Sequence, residues 1–185
     1  MKELSLNILD ITENSVKAGA TLTEITIDES DNALTISVKD DGCGMTEDVV
    51  RSVVDPFYTT RTTRRVGLGI PLLKLAAEQT GGGIEIFSTP DDKSGGYHGT
   101  EIKARFFKDH IDFTPLGDVT ATVTTLIQGH PDTDFLFLHK KDGKEVRLYT
   151  PELKEALDGV SLAEYEVIKW IEGYLEEQYT EFYKN

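Results

Sequence analysis

Residues 11–18 read Ile11-Thr12-Glu13-Asn14-Ser15-Val16-Lys17-Ala18. Read as a helix, this stretch and the residue before it put Asp10, Glu13, Asn14 and Lys17 on one face. Positions i, i+3, i+4 and i+7 fall together at 3.6 residues per turn. Two carboxylates, an amide and an ammonium thus gather within about two turns. The carboxylates and the amide suit an oxygen-seeking Mg²⁺, and the ammonium suits a phosphate. The same pattern also fits an exposed helix face laced with charge pairs, so the surrounding chain has to decide between the two.

Working outward, the helix is expected from about Ser5 to Ala18. Leu6, Ile8, Leu9 and Ile11 form its apolar stripe, and Gly19 closes it in the left-handed conformation. Alternating strands follow at Leu22–Asp28 and Leu34–Lys39, joined by a turn over Glu29–Ala33. Asp40-Asp41-Gly42-Cys43-Gly44 then breaks the alternation. Two glycines one residue apart at a strand end permit a tight turn and a close approach of backbone to ligand. The carboxylate ahead of them can accept a hydrogen bond from an exocyclic amine, although an ordinary polar turn would read the same way. Cys43 reads as a spacer in this turn.

Thr46 caps a short helix reaching about Val54, and Asp55-Pro56-Phe57-Tyr58 stops it. Thr59–Arg65 is polar, basic and without periodicity. It reads as a mobile loop whose arginines, Arg61 among them, could close over phosphates. Gly67-Leu68-Gly69 opens a helix running from about Ile70 to Gln79, with Leu72, Leu73, Leu75, Ala76 and Ala77 on its buried side. Glycines at a helix start leave N–H groups free for an anion. The spacing is neither a P-loop nor a dinucleotide fingerprint, since Leu72 stands where the latter needs its last glycine. Strands at Ile84–Ser88 and Thr100–Phe107 complete this part.

Residues 109–185 change character. A helix near Val119–Gln128, strands Phe135–Lys140 and Glu145–Tyr149, and helices near Pro151–Leu157 and Leu162–Phe182 are expected. The last carries Val167, Ile168, Ile171 and Leu175 at helical spacing, with Trp170 and Tyr174 close by. That pattern reads as packing against the body of the protein more readily than as a docking surface. The sequence therefore divides into residues 1–108 and a C-terminal α/β extension, 109–185, of unassigned role.

The chain has 185 residues and a formal net charge of −14, of which −5 falls in residues 1–108 and −9 in 109–185. A field of this sign opposes nonspecific nucleic-acid binding. No apolar run approaches the roughly 20 residues of a membrane span, and the N-terminus does not read as a signal peptide. The single cysteine excludes an internal disulfide framework; together these features lead us to expect a cytoplasmic protein without a membrane partner. The four histidines and one cysteine make no zinc pattern.

Four stretches in order are specific where each alone is weak. Glu13-Asn14, Asp40-x-Gly42-x-Gly44, Pro56-Phe57-Tyr58 and Gly67-Leu68-Gly69 resemble the N, G1, F and G2 boxes of the GHKL ATPase superfamily. That group includes gyrases, heat-shock chaperones, sensor histidine kinases, anti-sigma serine kinases and mismatch-repair ATPases. The resemblance covers residues 1–108. The run from Pro56 to Arg61 followed by Gly67-Leu68-Gly69-Ile70 looks like the histidine-kinase branch, as does Gly99-Thr100. The run from Glu13 to Thr21 looks partly like the mismatch-repair branch, whose later Gly-Phe-Arg-Gly stretch is missing.

The resemblance implies an α+β fold, the Bergerat sandwich of a mixed β-sheet and helices, carrying a C-terminal α/β appendage. It implies ATP and Mg²⁺ as cofactors. Asn14 would hold the metal, and Glu13 would polarise the attacking group. Lys17 would reach a phosphate, and Asp40 would read the adenine amine. Gly42 and Gly44 would let the base approach, Gly67, Leu68 and Gly69 would cradle phosphates with Arg61 closing over them, and Thr100 would support the adenine end. His98, His110, His130 and His139 all follow the ATP motifs, and none sits in an obvious long helix with a following acidic residue. A phospho-acceptor is therefore expected on a separate protein partner. Two functions stay open: a kinase or ATPase acting with that partner, and an ATP-gated binding switch with little turnover.

Overall fold

The computed structural model describes residues 3–55 and 68–184. Helix α1 spans Leu4–Lys17, followed by the hairpin β1 (Leu22–Glu29) and β2 (Ala33–Asp40). Then come α2 (Glu47–Val53), α3 (Gly69–Gln79), β3 (Gly83–Thr89) and β4 (Gly99–Phe107). The rest is α4 (Val119–Gly129), β5 (Asp134–Lys141), β6 (Lys144–Tyr149), α5 (Thr150–Leu157) and α6 (Tyr165–Phe182). The strands form one mixed six-stranded sheet in the order β3-β4-β2-β1-β5-β6. β1 and β5 run parallel, and every other pairing is antiparallel.

Alternation along the strands decides which side chains go inside. Ile25 and Ile27 of β1 stand beside Val38 and Ile36 of β2, which stand in turn beside Ile102 and Ala104 of β4. Ile25 also pairs with Phe137 of β5. All these side chains are buried, so one row of apolar residues crosses the sheet on one face. Each fully buried isoleucine or phenylalanine contributes about 1.5–3 kcal/mol of hydrophobic stabilisation. Over that core, α1 packs on β1 and β2, α3 packs on β3 and β4, and α4 packs between α1 and α6. The α+β class expected from the sequence is the one observed.

The same alternation carries the row Leu34-Ile36-Val38 one step further, to Asp40 at the end of β2. Asp40 thereby comes to lie on the helix-covered side, 7% exposed, opposite Thr100 of β4. A carboxylate is thus placed inside by strand geometry rather than by its own preference.

Several local expectations change. Leu6 is 43% exposed, and α1 instead buries Leu4, Ile8 and Ile11 together with the small polar Ser5, Thr12 and Ser15. These polar residues face the crowded side because α1 packs between α3 and α4 as well as on the sheet. Leu72 and Leu75 are also exposed, since α3 buries only the narrower stripe Ile70, Leu73 and Ala77. Thr46 precedes α2 in extended conformation, but its side chain makes no capping hydrogen bond. α6 begins at Tyr165, later than the apolar pattern starts, while Val167, Ile168, Ile171 and Leu175 pack inward as expected.

Candidate functional site

The C-terminal half of α1, the end of β2 and the start of β4 enclose a cavity of about 330 Å³. Small-molecule pockets typically run from about 300 to 1,000 Å³. Its polar lining comes from Asn14, Ser15 and Lys17 of α1, Asp40, and Thr100. Met45, Val53, Ile70 and Ile102 supply apolar wall. A larger hollow of about 510 Å³ beside Gly117–Thr120 and α6 carries none of the motif residues.

Asp40 is held from two sides. The Ser15 hydroxyl donates to its Oδ2 at 2.7 Å, and the backbone N–H of Gly42 donates to its Oδ1 at 2.9 Å. An ionised carboxylate accepts about four hydrogen bonds, so two acceptor sites remain on a group of fixed orientation beside the cavity. Its neighbour Asp41 has a different task. Partial burial pushes its carboxyl upward, but the N–H groups of Leu22 and Thr21 and the Thr21 hydroxyl outweigh that and hold it below the usual carboxylate range. Asp41 thereby ties the end of β2 to the start of β1.

The turn after Asp40 is fastened to β3 and β4. The Met45 N–H donates to Ser88 Oγ at 2.7 Å, and Ser88 Oγ lies 2.8 Å from Thr100 Oγ1. His98 Nδ1 donates to the Gly42 carbonyl at 2.6 Å. Gly44 lines the cavity with φ at +65°, and a Cβ there would lie 1.9 Å from the Thr89 carbonyl oxygen. Only glycine fits without moving the backbone. Gly42 is packed against Ala18, which seats the turn on the end of α1. Ser15, Asp41 and Ser88 carry no local signal of these contacts. An alternating strand pattern and a three-residue offset on a helix mark which face a side chain takes, but not which hydroxyl meets which carboxylate across the fold.

The polar face of α1 splits between neighbours. Asn14 and Lys17 line the cavity. Glu13 does not; its Oε1 accepts from His130 Nε2 at 2.7 Å, at the end of α4. Asp10 is exposed and sits against the start of α3, where a Cβ on Gly69 would lie 3.0 Å from the Asp10 Cβ. Leu68 precedes α3 as its N-cap and is exposed. Arg61, Gly67, the Pro56-Phe57-Tyr58 stretch and the Thr59–Arg65 loop lie outside the described residues.

Among the described residues no three His, Cys, Asp or Glu side chains converge as a metal cage. Mg²⁺ does not require one, since it keeps waters and binds through one or two protein oxygens plus substrate phosphates. The Asn14 amide and the nearby Asp10 carboxylate are oxygen donors of that kind. No helix among the described residues is long and apolar enough to cross a membrane.

Residues 2–110 match the family described as histidine kinase-, DNA gyrase B-, and HSP90-like ATPase. The chain is 31% identical over 90 residues to the signal transduction histidine-protein kinase AtoS of Escherichia coli strain K12, spanning 49% of this chain and 15% of that protein. It is 30% identical over 108 residues to sporulation kinase A of Bacillus subtilis strain 168, spanning 58% of this chain and 16% of that one. The match thus covers about a sixth of each relative's length or less. In fold, the chain resembles the Aquifex aeolicus MutL ATPase domain complexed with ADP, with a TM-score of 0.56 at 18% identity, covering 85% of this chain and 68% of that one. The N-terminal domain of a DNA repair protein gives a TM-score of 0.52 at 15% identity, over 80% of this chain and 53% of that one. With more than half its length inside the family match, and with the fold and the ordered boxes agreeing, this chain belongs to the histidine kinase-, DNA gyrase B-, and HSP90-like ATPases, the GHKL superfamily.

Proposed function

We propose that the chain binds ATP with Mg²⁺ in the cavity beside Asp40 and acts with a separate protein partner as a kinase or ATPase. The observation that carries this reading is the buried Asp40 carboxylate, oriented by Ser15 and Gly42 at the wall of a cavity with apolar sides. Such a group accepts a hydrogen bond from an adenine amine while the apolar wall receives the face of the base. Family membership and the ADP complex of the MutL domain support the nucleotide, and the two kinase relatives support phosphoryl transfer.

In this reading Asn14 offers its amide oxygen to Mg²⁺, Lys17 donates to a phosphate, and the first N–H groups of α3 face a phosphate with the helix dipole behind them. ATP with Mg²⁺ supplies the transferable phosphoryl group. The chain's own residues orient it and stabilise developing charge. Two carboxylates compete for the group that polarises the nucleophile. The motif points to Glu13. Asp10 is favoured, because it adjoins Gly69 at the head of α3 while Glu13 is engaged by His130.

The second reading is an ATP-gated binding switch. The Glu13–His130 contact favours it, because a carboxylate committed to α4 links the nucleotide-facing helix to the C-terminal elements.

Filter retention and product analysis with γ-labelled ATP, with and without candidate partners, tests both. Retained label with released phosphate or a labelled partner supports the enzyme. Retained label without either product supports the switch. No retained label at any Mg²⁺ concentration contradicts both.

A further inference from the structure

The inward stripe of α6 leaves a second side unused. Leu153 and Leu157 of α5, with Val167 and Trp170 of α6, border a groove of about 370 Å³. Trp170 is 55% exposed although it is a large aromatic, and it stacks on Tyr174 at 5.2 Å, which holds its ring in place. Ala156 lines the same groove at a solvent-exposed position.

The unpaired charges around this groove have one sign. Glu166 lines it, and Glu155, Asp158 and Glu164 stand exposed on the same two helices and the loop between them. None of the four makes an ion pair among the described residues. The two lysines on these helix segments are already engaged: Lys154 with Asp134 at 2.6 Å, and Lys169 with Glu172 at 2.6 Å. An apolar groove with a preset aromatic anchor and unanswered carboxylates at its rim fits an amphipathic helix with Lys or Arg flanking its apolar face. α5 has 8 residues, about 12 Å of helix, so roughly two to three turns of a ligand helix can lie along it. A second copy of this chain is a poor occupant, because its net charge is −14. Anionic lipid is disfavoured by the same sign.

We infer that the α5–α6 groove is a docking site for a basic amphipathic helix of a partner protein. It does not depend on nucleotide binding. Trp170 is the chain's single tryptophan, so its emission reports the groove directly.

The test is a fluorescence titration of the full chain with three synthetic peptides of about four helical turns. The first places Leu along one face and Lys on the others, the second replaces Lys by Glu, and the third scrambles the Leu/Lys order so that no apolar face forms. Saturable blue-shifted emission is expected with the first peptide alone. Ala156→Arg, at an exposed site, should reduce that affinity at least tenfold with unchanged circular dichroism. Glu164→Lys combined with Glu166→Lys should shift preference toward the Glu peptide. Unmoved emission overturns the inference, as does equal binding of the scrambled peptide or full affinity in Ala156→Arg. A concentration-dependent blue shift of the chain alone, or a shift with phosphatidylglycerol vesicles and not with the Leu/Lys peptide, likewise overturns it in favour of self-association or lipid.

Discussion

The Ser15 hydroxyl lies 2.7 Å from Asp40 Oδ2, joining the helix that brings Asn14 and Lys17 to the cavity to the end of β2. The two residues are 25 positions apart in sequence and both are buried. This bond and the Gly42 N–H together fix the Asp40 carboxylate at the cavity wall.

Nucleotide discrimination follows from it. Asp40→Asn replaces a charged acceptor by an amide that must turn its oxygen toward the amine, a loss of about 1–3 kcal/mol in ATP affinity. Ser15→Ala removes one orienting donor and should cost about 0.5–1.5 kcal/mol. Inosine triphosphate has no exocyclic amine, so its affinity should be weaker than that of ATP in wild type and change little in either variant. Calorimetric titration of both nucleotides checks this. Equal losses for ATP and inosine triphosphate would mean that the bond only holds the fold together.

The two carboxylates of α1 separate chemistry from packing. Asp10→Asn should leave ATP bound and lower turnover or transfer by roughly 10²–10⁴-fold, the usual contribution of a positioned acid or base. Glu13→Gln keeps the contact to His130 in neutral form and should leave turnover within a few-fold. Steady-state phosphate release, with the partner present where one is required, reads the difference. A collapse in Glu13→Gln with normal rates in Asp10→Asn would return the role to Glu13.

Much of this was legible in the chain because period-2 and period-3.6 patterns survive without an alignment. Leu34, Ile36 and Val38 announced β2, and the face of α1 was readable from the offsets of Asp10, Glu13, Asn14 and Lys17. What those offsets could not show is which neighbour each residue of the face meets: Asp10 abuts the start of α3, while Glu13 contacts His130 at the end of α4. Likewise, nothing local in Phe135–Lys140 says that the strand runs parallel to β1, since pairing between Ile25 and Phe137 is a long-range choice. The sequence offers no signal for Ser15, because a small polar residue on a helix has no pattern of its own.

At the other end of the sheet, Glu29 gives a pH dependence of known sign. Hydrogen bonds from His139 and then Lys108 outweigh its burial and lower its pKa from 4.5 to about 2. A depressed carboxylate stabilises the fold above its unfolded value and loses that contribution as pH falls through the folded one. Stability should therefore drop between about pH 4.5 and 2, by up to about 3 kcal/mol from this group. Urea denaturation across that range should show a shallower acid limb in Glu29→Gln. Identical slopes would remove Glu29 as the cause.

Gly44→Ala tests the turn. With φ at +65° and the added Cβ 1.9 Å from the Thr89 carbonyl oxygen, the backbone has to move. A loss of more than about 1 kcal/mol in stability is expected, and ATP affinity should fall with it because the turn walls the cavity. Unchanged thermal denaturation and unchanged ATP affinity would show that the turn yields freely.

If this cavity takes ATP with Mg²⁺, nucleotide should stabilise the folded chain. Thermal unfolding of the full chain, with and without ATP, ADP or a non-hydrolysable analogue in the presence of Mg²⁺, tests it most directly. At a nucleotide concentration of a hundred times Kd the folded state should gain about 2.7 kcal/mol, visible as a higher melting temperature that Asp40→Asn diminishes. A melting temperature unmoved by all three nucleotides at millimolar concentration would mean that the cavity is not a nucleotide site.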